Sequence, residues 1–132
     1  MDKTTRDALE FERLANEFSR RRGIRRECMG PHGQGCPDHV VDPLILDVGH
    51  IGGGGSKEKQ ALKAFYRKKG KPVPKNHPGG LDYLRMLLWA EDHGYKPAVQ
   101  LGWQCPNCNQ REARAKLIEA RRAVRAARNQ ES

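Results

Sequence analysis

Four cysteines constrain this chain more than any other feature. Cys28 and Cys36 stand with seven residues between them, and Cys105-Pro106-Asn107-Cys108 forms a C-x-x-C knuckle far downstream. Two sulfur pairs from distant segments are the usual donors of a tetrahedral zinc site, with thiolates about 2.3 Å from the metal. A redox C-x-x-C, two disulfides or separate buried thiols are the other readings, but a redox site needs no second pair. The pattern therefore predicts one structural zinc held by Cys28, Cys36, Cys105 and Cys108, closed to further ligands.

The rest of the composition explains why such a staple is needed. The chain has 132 residues, enough for one domain, of which 36% are hydrophobic and 31% charged, with 14 Gly and 8 Pro. Mean hydropathy is −0.87. So polar a chain buries little apolar surface against the entropy of ordering, and a bound metal is a common remedy in small domains.

The formal net charge of +9 favours a polyanionic partner, because each phosphate contact releases counterions from nucleic acid. An anionic membrane surface is the other polyanion, but no stretch reads as a basic amphipathic anchor. No run approaches 18 apolar residues, so no membrane span is expected. The start, Met1-Asp2-Lys3-Thr4-Thr5-Arg6-Asp7, lacks the apolar core of a signal peptide. The expected setting is the cytoplasm, where disulfides are disfavoured.

Along the chain, Thr4 and Asp7 suggest a capping box for a first helix. Phe11, Leu14, Ala15 and Phe18 form its apolar stripe, and Arg20, Arg21 and Arg22 close it before Gly23. It reads as an outrigger to the core. Residues 23–43, rich in Gly and Pro, read as an irregular loop. Leu44-Ile45-Leu46-Asp47-Val48 is the best strand candidate, followed by His50 and the run Gly52–Gly55. Ser56 is the expected cap of a second helix with Leu62, Phe65 and Tyr66, stopping at Gly70. Residues 71–80 read as a connection. A third helix spans about Leu81–His93 with Leu84, Leu87 and Leu88 inward, and Gly94 ends it. A second strand is expected over Ala98–Trp103, and a last helix from Pro106 to about Arg128.

The order is informative: cysteine pair, strand, His50, glycine turn, second strand, C-x-x-C, then Asn109 opening a basic helix. In Leu46-Asp47-Val48-Gly49-His50-Ile51-Gly52-Gly53-Gly54, in Gln100-Leu101-Gly102-Trp103-Gln104 and in Cys105-Pro106-Asn107-Cys108-Asn109, the chain resembles the HNH, or ββα-metal, endonuclease family in its four-cysteine zinc form from phage and bacterial proteins. The resemblance covers approximately Cys28 to Lys116. It implies an α+β fold: a zinc-stapled ββα-metal core over 24–116 with a helical insertion at 56–94, an N-terminal helix at 1–23 and a basic C-terminal helix and tail at 117–132, all in one domain.

The resemblance further implies DNA cleavage in a bacterial or phage-infected cell. His50 would be the general base that activates water, a role an imidazole fits at neutral pH. Asn109 would supply an oxygen ligand to a catalytic Mg²⁺ or Mn²⁺, completed by phosphate oxygens and water. Many family members carry Asp directly before the histidine as a second metal ligand. Here that position is Gly49, and Asp47 is the nearest substitute. Asn76 and His77 are candidates for the middle motif residue. Glu91-Asp92-His93 reads as a solvated helix end, and Leu88 and Trp89 as core. Arg111, Arg114, Lys116, Arg121, Arg122 and Arg125 on the last helix are the expected phosphate contacts. The alternative is a noncatalytic zinc module that binds nucleic acid with a degenerate site; a cysteine redox protein is a more distant third.

Overall fold

The computed structural model describes residues 2–36, 43–73 and 80–131, and only the backbone at 109–118 and 131. It is a small α+β structure in which four α-helices and a single 3₁₀ turn accompany a two-stranded antiparallel sheet, among the described residues.

The first helix, α1 (Lys3–Arg22), is capped by Asp2, whose carboxylate accepts from the Thr5 N–H at 2.8 Å. The cap thus sits two residues earlier than the Thr4–Asp7 pattern suggested, because Asp2 already offers a side-chain oxygen at N-cap geometry. Gly23, at φ 64°, ends α1 with its N–H bonded to Arg20 O, while Ile24 N–H returns to Ser19 O. A left-handed residue at this point favours glycine. Leu14, Ala15 and Phe18 are buried. α1 is therefore part of the core rather than an outrigger: its stripe is wide enough to be covered by the third helix and the sheet.

Pro43–Ile45 forms the 3₁₀ turn, with Leu44 and Ile45 exposed. The first strand, β1 (Asp47–His50), begins three residues later than the branched run suggested. Apolar content marked the entry to the strand, and pairing marked the strand itself. Its partner, β2 (Leu101–Gln104), pairs in the register Asp47↔Gln104, Val48↔Trp103, Gly49↔Gly102 and His50↔Leu101. Opposed residues share a face and neighbours alternate. One face of the ribbon thus presents Asp47, Gly49, Gly102 and Gln104; the other presents Val48, His50, Leu101 and Trp103.

Between the strands lie α2 (Gly55–Lys68) and α3 (Gly80–Asp92). Gly54, at φ 88°, precedes α2 without a side-chain cap bond, so the glycine turn replaces the expected Ser56 cap. The helix α3 buries Tyr83, Leu84, Met86, Leu87, Leu88 and Ala90, which places it in the middle of the molecule. Trp103 joins the layers. Its ring packs edge-on to Phe18 at 5.1 Å between centroids, and Nε1–H donates to Ser19 Oγ at 2.8 Å. The last helix, α4 (Pro106–Glu131), leaves the sheet through Cys105 and is exposed over 119–130.

The end of α3 is exposed at Asp92 and His93, as expected of a solvated helix end, while Glu91 is partly buried. Glu91 bonds Arg21 and Arg22, Asp92 bonds Arg21, and His93 stacks on Trp89 at 4.2 Å. The ion pairs of Arg21 and Arg22 join α3 to α1. Asn76 and His77 lie outside the described residues.

Candidate metal centre and histidine cleft

The four cysteines meet. Their sulfurs all lie within 4.8 Å of one another. Cys28 Sγ is 3.6 Å from Cys108 Sγ, and Cys36 Sγ is 3.7 Å from Cys108 Sγ and 3.9 Å from Cys105 Sγ. Disulfide sulfurs would sit about 2.05 Å apart. A tetrahedron with metal–sulfur bonds of 2.3 Å has edges of about 3.8 Å, so the cluster has the dimensions of an S₄ metal site. These four thiols can hold a structural metal such as zinc.

Local sequence explains the convergence. Met29 N–H bonds Trp103 O at 2.8 Å, which ties the first loop to β2. The loop then closes through Gly35 N–H to Met29 O at 2.9 Å. Gly30 must be glycine here: it has φ 76°, and a Cβ would lie 1.9 Å from Gly35 O. Cys105 leaves β2 directly, its N–H bonded to Cys28 Sγ at 3.2 Å, and Cys108 follows in the first turn of α4. Burial pushes the Cys108 thiol up. For Cys105, hydrogen bonds from the Cys108 backbone and the neighbouring sulfurs outweigh burial and hold the thiol down. A bound cation removes this conflict by favouring the thiolate at every position.

His50 lies on the other face of the ribbon, half-buried under α3. Its Nε2 is 3.3 Å from Tyr83 Oη, with the rings edge-on at 6.0 Å. Burial, aided by the positive charge of Lys59, lowers its pKa below the ordinary histidine value. Tyr83 shifts the opposite way, upward through burial, so its hydroxyl keeps the proton. The other ring nitrogen faces the glycine turn: a Cβ at Gly55 would stand 3.0 Å from Nδ1. Glycine at 55 spares Nδ1 the crowding that a Cβ there would bring.

The structure separates the carboxylate candidate from this cleft. The strands pair without a bulge, so Asp47 and His50 point to opposite faces. Asp47 is an exposed residue at the start of β1 and does not accompany the histidine. Position 49 is closed as well. A Cβ on Gly49 would lie 1.9 Å from Oε1 of Gln104, whose fully buried side chain donates from Nε2 to Gly30 O at 3.0 Å. A side chain at 49 has room only if Gln104 moves. Gly49→Asp is expected to destabilise the protein by on the order of 2 kcal/mol through overpacking and carboxylate burial. Denaturant unfolding checks this; Gln104→Ala in the same chain should relieve part of the loss.

Asn109 follows Cys108 in the first turn of α4, and its side chain lies outside the described residues, as do those of Arg111, Arg114 and Lys116. Arg121, Arg122 and Arg125 are exposed along α4. The sequence reading missed Tyr83, which looks like core in a helix pattern, and Glu58, a buried acid on α2 that accepts from Tyr95 Oη and Ala98 N–H, each at 2.6 Å. It also missed the Gln104 block, which only the register reveals. No family profile, curated protein or solved structure matches the chain.

Proposed function

We propose that this chain is a metal-dependent DNA endonuclease of the HNH, or ββα-metal, type, in which His50 is the general base and zinc at the four cysteines is structural. The observation that carries the reading is the setting of His50: its ring is half-buried, with Nε2 beside the protonated Tyr83 hydroxyl and Nδ1 over a glycine turn. When Nε2–H donates to Tyr83 Oη, the lone pair is left on Nδ1, on the side of the glycine turn. The lowered pKa keeps that lone pair available at neutral pH. His50 then takes a proton from water as the water attacks a phosphodiester.

A divalent cation such as Mg²⁺ or Mn²⁺ would offset charge at the leaving oxygen, with Asn109 as its protein ligand. Asp47 is on the far face and position 49 has no side chain, so cation donors come chiefly from Asn109, the phosphate and water. Metal and DNA should therefore bind together. The exposed arginines 121, 122 and 125 would hold the phosphate backbone.

The same two carboxylate findings favour the second reading, a zinc-stapled nucleic-acid-binding module with a degenerate site. A pH profile separates them. Because the His50 pKa is lowered, the base is neutral at pH 7 and protonates only as pH falls below the ordinary value of about 6.5. Cleavage should be flat around neutrality and fall on an acid limb centred below that value, and His50→Ala should abolish the limb. The absence of cleavage at every pH would favour the binding module.

A further inference from the structure

The excess positive charge is spread unevenly. On the α1–α3 side, five arginines are matched by acids: Arg20 and Arg21 bond Glu17, Arg22 bonds Glu91, Arg26 bonds Glu12, and Arg85 bonds Glu10 and Asp82. The span from Lys57 to Lys71 is different, with seven Lys or Arg side chains against the single acid Glu58. Glu58 is fully buried and occupied by Tyr95 and Ala98. Among the described residues, no carboxylate forms an ion pair with any of these seven cations.

Their placement is ordered. Glu58, Leu62 and Tyr66 form the buried stripe of α2, and Lys59, Lys63 and Arg67 follow one residue on, again four apart. Such a row advances about 6 Å per step. The row begins at the histidine cleft, since Lys59 is the charge that His50 feels, and ends at Lys68, Lys69 and Lys71. Two of these last cations rest on rings instead of acids: Lys71 Nζ lies 3.7 Å over Trp89, and Lys69 Nζ 5.6 Å over Phe65. Ring faces hold a cation in place while leaving its charge uncancelled. An ordinary solvated helix face carries acids among its bases; this one carries none that is free.

We propose that α2 and the turn after it form a phosphate-contacting rail, separate from the arginines of α4, that carries the backbone of double-stranded DNA away from His50. The choice of DNA rests on the endonuclease reading; the rail itself rests on the charge and its geometry. Each phosphate contact adds about 0.9 to the magnitude of the slope of log K against log salt.

The test measures that slope for full-length His50→Ala protein on a short DNA duplex, so that binding is read without cutting. Lys63→Gln/Arg67→Gln/Lys68→Gln should lower the slope by about two to three, with unchanged zinc content and circular dichroism. A control with equal charge loss on α1 and α3, Arg13→Gln/Arg20→Gln/Arg85→Gln, should change it by less than about one. If the triple rail variant does not fold, the single changes Lys63→Gln and Lys68→Gln should each remove about 0.9. An unchanged slope, or the same loss in rail and control variants, overturns the rail. So does a rail variant that loses binding to phosphatidylserine vesicles while keeping its DNA slope. Cleavage plays no part in this readout, so failure of the endonuclease reading would show separately in plasmid assays.

Discussion

Replacing Cys105 by Ser is expected to abolish stoichiometric zinc binding and to cost most of the protein's stability at 37 °C. Cys105 is buried, its sulfur stands 3.9 Å from that of Cys36, and its N–H holds Cys28. It therefore links the first loop, the end of β2 and the start of α4. In a chain this polar the metal's binding energy is largely folding energy, and structural sites of this type contribute on the order of 10 kcal/mol in small zinc peptides. Elemental analysis should give one zinc per wild-type chain and less than a tenth of that in the variant. Strong chelators should melt the loop and α4 start before the α1–α3 layer, because the Phe18–Trp103 and Arg22–Glu91 contacts do not pass through the sulfurs. Acid should release the metal as the thiolates protonate. A wild-type protein that keeps its melting temperature after complete zinc removal would contradict this role.

Removing the imidazole should have the largest effect on chemistry. His50→Ala is expected to lower cleavage by about 10²-fold or more, the usual contribution of a general base. Zinc content and DNA affinity should stay close to wild type, because His50 is on the ribbon face away from the Gln104 side and makes no contact with the sulfurs among the described residues. Tyr83→Phe should produce a smaller loss, since it removes the hydroxyl beside Nε2 without touching Nδ1. A histidine that served only packing would give a different pattern: both substitutions would lower the melting temperature, and the acid limb of the pH profile would not move.

The parts of this molecule that were legible in the sequence are those set by local rules. The stripe Leu14–Ala15–Phe18, the glycine stop at Gly23, the apolar α3 and the four-sulfur convergence all follow from spacing and residue type. What escaped depended on pairing between distant segments. The strand begins at Asp47 instead of Leu44 because β2 offers no partner beyond Gln104, where the chain turns through Cys105 into α4. The same register sends Asp47 away from His50 and lays Gln104 over Gly49, and no reading of either strand alone contains that fact. Tyr83 is similar: as one of six buried residues on α3 it has no sequence mark that distinguishes it, and only the crossing of α3 over β1 brings its hydroxyl to His50. The charge asymmetry of α2 was visible as composition. Its meaning required knowing that Glu58 points inward and that Arg20, Arg21 and Arg22 of α1 are already paired.

The proposed cleavage of DNA is tested most directly by incubation of supercoiled plasmid with zinc-loaded wild-type protein and Mn²⁺ or Mg²⁺, beside the same protein carrying His50→Ala. The account predicts nicked and then linear DNA with wild type, dependent on the added cation, and cleavage at least about 10²-fold slower with the variant. Intact plasmid in both reactions, or equal cutting by both proteins, would contradict it.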